Sequence, residues 1–258
     1  MLYTYAIISD AASQPVERGI GHAILAGARP RCYTRGRLSA VASAVPASEF
    51  GPDILPERLG DADWTRARIL AHEAVVADLL GMATVLPLKF CTLFSGEAAL
   101  FAALDGQGER LQAAAGRCRG AREWGLKLFL EERARAEPAP PAPAGPGAGA
   151  AFFRRKHEDR ERAEAAEARM ARCVADIHDA LCRHAREAVV NPPQPAALHR
   201  RAARMVLNGA YLVSREEEAR WHGALKDMAA LCSEHGLTAE ATGPWGPYNF
   251  AGGGLVGT

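Results

Sequence analysis

Arg122-Glu123-Trp124-Gly125-Leu126-Lys127-Leu128-Phe129-Leu130 is the stretch whose reading decides the fold. Trp124, Leu126, Leu128 and Leu130 alternate with Glu123, Gly125, Lys127 and Phe129, and that period of two predicts a β-strand. Residues 138–150 follow, reading PAPPAPAGPGAGA. Such a composition buries no core and predicts a flexible, solvent-exposed insertion, placed at 136–151. Phe152–Val190 is then predicted as the longest helix. Met170, Val174, Ile177, Leu181 and Ala188 recur at helical spacing in its second half, so that half should pack on a sheet or another helix. The first half is charge and alanine. It reads as a solvated face with i,i+4 pairs such as Glu158–Arg162, or alternatively as an arm that grips a partner. Pro192, Pro193 and Pro195 end the helix.

Strands are predicted at Leu198–Ala203 and Met205–Val213. Ser214-x-x-Glu217 has the pattern of a capping box for a helix through Trp221, Leu225, Met228 and Leu231, closed by Gly236. Leu237–Thr242 is a last strand. From Arg122 onward the predicted order is β-α-β-β-α-β, the ferredoxin-like pattern.

Working back toward the N-terminus, Leu2–Ile8 predicts a strand and Pro15–Leu25 a helix. Arg31–Arg35 and Arg37–Val45 predict two strands joined at Gly36. Pro46–Gly60 reads as loop. Asp61 or Asp63 caps a helix to Leu80, with Ile69, His72, Val76 and Leu79 near one face. Met82–Phe90 predicts a strand bent at Pro87. A helix opens near Ser95 and resumes at Arg110–Arg119 after a break at Gly106 and Gly108. The fold class is therefore α+β in two domains, 1–119 and 120–250, the second ferredoxin-like with a long charged helix. Residues 251–258 are expected to form a disordered tail.

Composition narrows the function. In 258 residues, 31 Lys+Arg against 30 Asp+Glu leave a net charge of +1, which argues against a nucleic-acid or anionic-membrane binder driven by net charge. The opening Met1–Ile8 has no basic n-region, and the apolar run Ala74–Phe90 is interrupted by Asp78, Gly81, Pro87 and Lys89. A cytoplasmic protein is the expectation. Its six cysteines (Cys32, Cys91, Cys118, Cys173, Cys182, Cys232) form no C-x-x-C pair and are expected as free thiols.

Chemical motifs are incomplete. His72-Glu73-Ala74-Val75-Val76 lacks the second histidine of a zinc helix, and Asp61-x-Asp63 does not continue as a calcium loop. Gly19-x-Gly21 and Gly106-x-Gly108 lack the third glycine of a dinucleotide fingerprint. No Walker loop or G-x-S-x-G elbow occurs. His178, Cys182 and His184 are the one soft-metal cluster, and helical spacing puts only the first two on one face. No catalytic residue, metal site or cofactor is expected.

Four segments together resemble the gas vesicle GvpL/GvpF family. Thr84-Val85-Leu86-Pro87-Leu88-Lys89-Phe90 is similar to its "vlPLrFgt" strand, and Gly120-Ala121-Arg122-Glu123-Trp124-Gly125-Leu126-Lys127 to its "GkxEWgvK". Leu207-Asn208-Gly209-Ala210-Tyr211-Leu212-Val213 is similar to "lNxAYLV", and residues Thr242–Phe250 to the terminal "TGPWPPYSF". Cys91 stands where that family usually has glycine. Gly246 replaces a second proline, which should leave the C-terminal turn less rigid.

The resemblance implies an accessory structural or assembly protein of gas vesicles, associated with the vesicle in the cytoplasm. It also implies contact with the small hydrophobic shell protein GvpA and with other accessory Gvp proteins, and a modified ferredoxin-like C-terminal domain. Pro87, Lys89, Phe90, Trp245 and Tyr248 are the candidate contact residues, because aromatic anchors dominate interface energies. For Trp124, Trp245 and Tyr211 the plain alternative is core packing. A ligand-sensing regulatory module is the alternative function, on fold-level analogy.

Overall fold

The computed structural model describes residues 1–131, 148–195, 203–252 and 255. It is a mixed α+β structure with antiparallel sheets. The chain divides into two compact units, Met1–Glu123 with Pro244–Thr258, and Trp124–Gly243.

The first unit is built on β1 (Leu2–Ser9), buried along its whole length. β1 pairs antiparallel with β3 (Leu38–Ala44), β4 (Thr84–Pro87) and the short β5 (Leu93–Phe94). β2 (Arg31–Arg35) extends the sheet beyond β3. Arg35 opposes Leu38, so β2 and β3 are joined by Gly36 and Arg37, and Gly36 takes the positive φ of 57° that such a tight hairpin demands. Helix α4 (Ala62–Leu80) starts on Asp61, whose carboxylate accepts the amides of Asp63 and Trp64. Val75, Val76 and Leu79 of α4 join Tyr3, Tyr5 and Ile8 in the core.

Four details of this unit differ from expectation. Helix α1 covers only Ser13–Gly19, because Ile24 turns inward to full burial and donates its amide to the Tyr5 hydroxyl. The stretch read as loop holds two short helices, α2 (Ala47–Phe50) and α3 (Leu55–Gly60), with Phe50 buried edge-on against Tyr3. Ile69 is exposed. Helix α5 (Glu97–Cys118) runs unbroken through Gly106 and Gly108, because Leu104 and Leu111 on either side are buried.

In the second unit, β6 (Ala121–Glu131), α6 (Ala148–Cys182), β7 (Glu187–Val190), β8 (Ala203–Ser214), α7 (Glu218–Glu234) and β9 (Leu237–Trp245) follow in order. The sheet order is β7-β8-β6-β9. Leu126 and Leu128 meet Ile177, Leu181, Tyr211 and Trp221 in its core. Among the described residues the elements follow the order β-α-β-β-α-β, with Glu187–Val190, which the sequence placed at the end of a helix, as the second strand. Tertiary pairing overrides the helical spacing: Arg186 donates its amide to Leu212 O, and Glu187–Val190 lies antiparallel to Gly209–Leu212. The strand predicted at Leu198–Ala203 falls, up to residue 202, outside the described residues; Ala203 opens β8. The insertion expected at 136–151 lies outside them as far as residue 147, and α6 begins at Ala148.

The capping box does not form. Glu217 is itself the N-cap of α7 without a side-chain cap bond, and its carboxylate meets His184 and Arg220 instead. Gly236 does follow the helix end and donates its amide to Ser233 O. Of the tail expected at 251–258, residues 251, 252 and 255 are described. Ala251 and Leu255 are buried, and the Gly252 carbonyl accepts from Arg110. Residues 244–250, assigned from sequence to the second domain, group with the first unit. No described helix is long and apolar enough to cross a membrane.

Candidate protein-contact site

β4 ends at Pro87, where the chain still donates Leu88 N to Tyr5 O before turning away from the sheet. The Lys89 carbonyl accepts from both the amide and the hydroxyl of Thr92, which closes the turn. Inside it Cys91 has φ 60°, a left-handed conformation that costs a side-chain-bearing residue about 1–2 kcal/mol. The residue that stands in place of the family's glycine therefore occupies a position glycine suits. Cys91 donates its amide to the Tyr3 hydroxyl at 3.3 Å, and Tyr3 lies 2.9 Å from His72 Nδ1.

His72 is buried against Tyr3, Tyr5 and Phe90, and burial pushes its pKa down to about 4, partly offset by the Leu88 backbone. A neutral imidazole then accepts the Tyr3 proton at Nδ1. Its buried Nε2 has no partner of good geometry among the described residues.

The second segment begins at Trp245, which is 45% exposed. Gly246 is buried behind it, and a Cβ there would lie 3.0 Å from Val76 Cγ1 and 3.1 Å from Pro87 Cγ. The turn is thus seated close against Pro87 and Val76, which would have to give way by a few tenths of an ångström to admit a Cβ. Pro247 O accepts the amides of Phe250 and Ala251. Beyond it, Tyr248 donates its hydroxyl to Glu73 Oε1 at 2.7 Å. Asn249 donates its backbone and side-chain nitrogens to the two oxygens of Glu123, at 2.9 and 2.6 Å. These bonds hold the turn in place despite the missing proline ring. Burial raises the pKa of Glu73 and Glu123 above the usual carboxylate value, and it raises Tyr248 as well, with the facing Glu73 adding to the effect.

The two segments named from sequence thus come together on one unit through Pro87 and Gly246. Pro87 is buried, Phe90 and Tyr248 are half-buried, and Lys89 and Trp245 are exposed. Glu73, Glu123 and Asn249 went unrecognised. Their pairings span 175 and 126 residues of chain, and no local periodicity reports such a distance.

The soft-metal residues are engaged elsewhere. His178 Nδ1 lies 2.8 Å from the Tyr211 hydroxyl, with its Nε2 3.5 Å from Cys182 Sγ, and His184 faces Glu217 at 3.2 Å. Among the described residues no group of three or more His, Cys, Asp or Glu is placed to hold a metal. The Cys182 thiol is pushed up by burial and by Asp179, the reverse of an activated nucleophile. Trp124 stacks on Trp221 at 5.8 Å and directs its indole N–H at Glu218, and Tyr211 is fully buried, so both pack as core residues.

The comparisons with known proteins agree with the motifs. A family model described as gas vesicle synthesis protein GvpL/GvpF matches residues 1–252. Gas vesicle protein L of Streptomyces sp. (strain CB03234) is 33% identical over 256 residues, covering 97% of this chain and 92% of that protein. Two crystal structures share the fold at 18% identity. GvpF of Anabaena sp. PCC7120 gives a TM-score of 0.66 over 97% of this chain and 95% of its own. GvpF of Microcystis aeruginosa gives 0.68 over 97% and 98%. A match along nearly the whole chain, with an L-type relative above 30% identity, makes this protein a member of the GvpL/GvpF family of gas vesicle synthesis proteins.

Proposed function

We propose that the chain is an accessory structural and assembly protein of gas vesicles, binding the shell protein GvpA and other accessory Gvp proteins during vesicle formation, in the cytoplasm against the vesicle. The carrying observation is the joined pair of turns. Trp245 and Lys89 are exposed on segments that Gly246, Pro87, Glu73 and Glu123 hold rigidly from behind. A pre-ordered, exposed aromatic suits an interface hot spot. An unassembled shell subunit exposes apolar surface that aggregates unless covered, and a binding role needs no catalytic group.

The second unit is read as a modified ferredoxin-like domain. Support comes from its β-α-β-β-α-β order and from a sheet in which the first strand lies between the third and the fourth, with the second at the edge beyond the third.

Pull-down of GvpA by the purified chain tests the reading, together with electron microscopy of a deletion strain. Wild type captures GvpA, and Trp245→Ala weakens capture about tenfold or more while leaving circular dichroism unchanged, since the side chain is exposed. No association with any Gvp protein, with normal vesicles in the deletion strain, overturns it.

A further inference from the structure

Elsewhere on the first unit an open groove of about 1130 Å³ lies over the irregular segment between α1 and β2. That segment has no regular structure yet is firmly seated. Ile24 N donates to the Tyr5 hydroxyl, which lies 2.8 Å from Ser43 Oγ, and Ser43 donates on to Ala28 O. Arg68 holds the Ile24 carbonyl from α4, and Asp78 accepts from Gly21 N and faces His22 Nδ1 at 2.8 Å. Ordered irregular backbone of this kind commonly carries recognition.

The charges around it are sorted by direction. Glu17 turns its carboxylate onto Cys32 N at 2.6 Å, along the edge of β2, and Asp78 is spent on the segment itself. Arg18, Arg29 and Arg31 line the groove, all exposed, and none has a carboxylate partner among the described residues. Half-buried Ile20 and Leu25 lie between them.

We infer that this groove docks an acidic segment of a partner protein in which carboxylates alternate with apolar side chains. Three guanidiniums without a carboxylate, Arg18 held only by the neutral Gln14 side chain at 3.2 Å, ask for carboxylates, and Ile20 and Leu25 ask for aliphatic contact. A nucleic acid fits less well, because the groove offers no Phe, Tyr or Trp on which a base can stack. This site is separate from the aromatic turn and does not depend on its role.

The test is fluorescence anisotropy of the intact protein with a labelled short peptide of glutamate alternating with leucine and alanine. An oligoglutamate, the matched lysine peptide and a single-stranded oligonucleotide serve as competitors, and amide shifts map the site. The acidic-apolar peptide is expected to bind with shifts over residues 14–31. Arg29→Glu with Arg31→Glu weakens it about tenfold or more, Arg29→Gln with Arg31→Gln weakens it less, and Arg154→Glu with Arg155→Glu on α6 leaves it unchanged. Circular dichroism confirms that each variant is folded. Equal binding of the oligonucleotide or the oligoglutamate, equal loss in the α6 variant, or shifts outside residues 14–31 overturns the inference.

Discussion

Each unit has a tyrosine–histidine pair at its centre, and the two pairs are built alike from opposite surroundings. Tyr3 meets His72 at 2.9 Å, and Tyr211 meets His178 at 2.8 Å, each through Nδ1. Both tyrosines are fully buried on central strands. The histidines differ. His72 is 1% exposed within an aromatic cage, whereas His178 is half-buried and has Cys182 beside its second nitrogen. In the first unit the pair also receives the Cys91 amide, so it locks the turn that carries Lys89 and Phe90. The same two side chains thus act as a lock in one unit and as ordinary core packing in the other. What separates them is access to water, not the bond between them.

The largest expected effect is on the pH dependence of the first unit. His72 has its folded pKa depressed to about 4, so the unfolded chain binds its proton more readily. Its contribution is complete above the ordinary histidine value near 6.5 and is lost as pH falls from there toward 4, by about 3 kcal/mol in all. Glu73 and Glu123, with raised values, act in the opposite sense and gain stability toward acid. Native-state hydrogen exchange of β1 amides isolates the histidine term. Between pH 6.5 and 4, protection should fall in wild type and fall much less in His72→Gln. Equal slopes in the two proteins erase the contrast between the pairs.

Removing the hydroxyls comes next. Tyr3→Phe strands both His72 Nδ1 and the Cys91 amide, and should cost about 2 kcal/mol in urea denaturation. Tyr211→Phe leaves His178 free to reach water and should cost about 1 kcal/mol. A larger loss in the second variant reverses the assignment of lock and packing.

The smallest effect sharpens the geometry of the lock. Cys91→Gly removes the left-handed penalty at φ 60° while keeping the amide that Tyr3 accepts. Part of the gain returns as backbone entropy in the unfolded chain, leaving a net stabilisation of about 0.5–1 kcal/mol, read as a raised Tm.

What the sequence disclosed follows the same division between local and distant causes. The alternation in Trp124–Leu130 gave away β6, and Asp61 before an apolar helix announced the cap of α4. Both signals live within a few residues. Glu187–Val190 was hidden because its neighbours continue a helical spacing, and only pairing with Gly209–Leu212 makes it a strand. Phe50 gave no sign from its Pro/Gly-rich surroundings that it would fill the cage beside Tyr3. At the candidate site, the segments that carry Lys89 and Trp245 were marked by their motifs. The carboxylates that seat those segments were not, because a buried Glu looks in sequence like any solvated one.

The return of residues 244–252 to the first unit sets a timetable for synthesis. Residues 1–123 leave the ribosome with Glu73 and Glu123 still awaiting Tyr248 and Asn249, and the whole of the second unit must be translated in between. At ordinary elongation rates that interval is on the order of ten seconds. A chain interrupted before residue 245 has neither the Trp245 turn nor the groups that hydrogen-bond Glu73 and Glu123. The proposed contact surface therefore comes into being only after translation has passed the end of β9, so competence to meet a partner waits on the synthesis of the whole second unit.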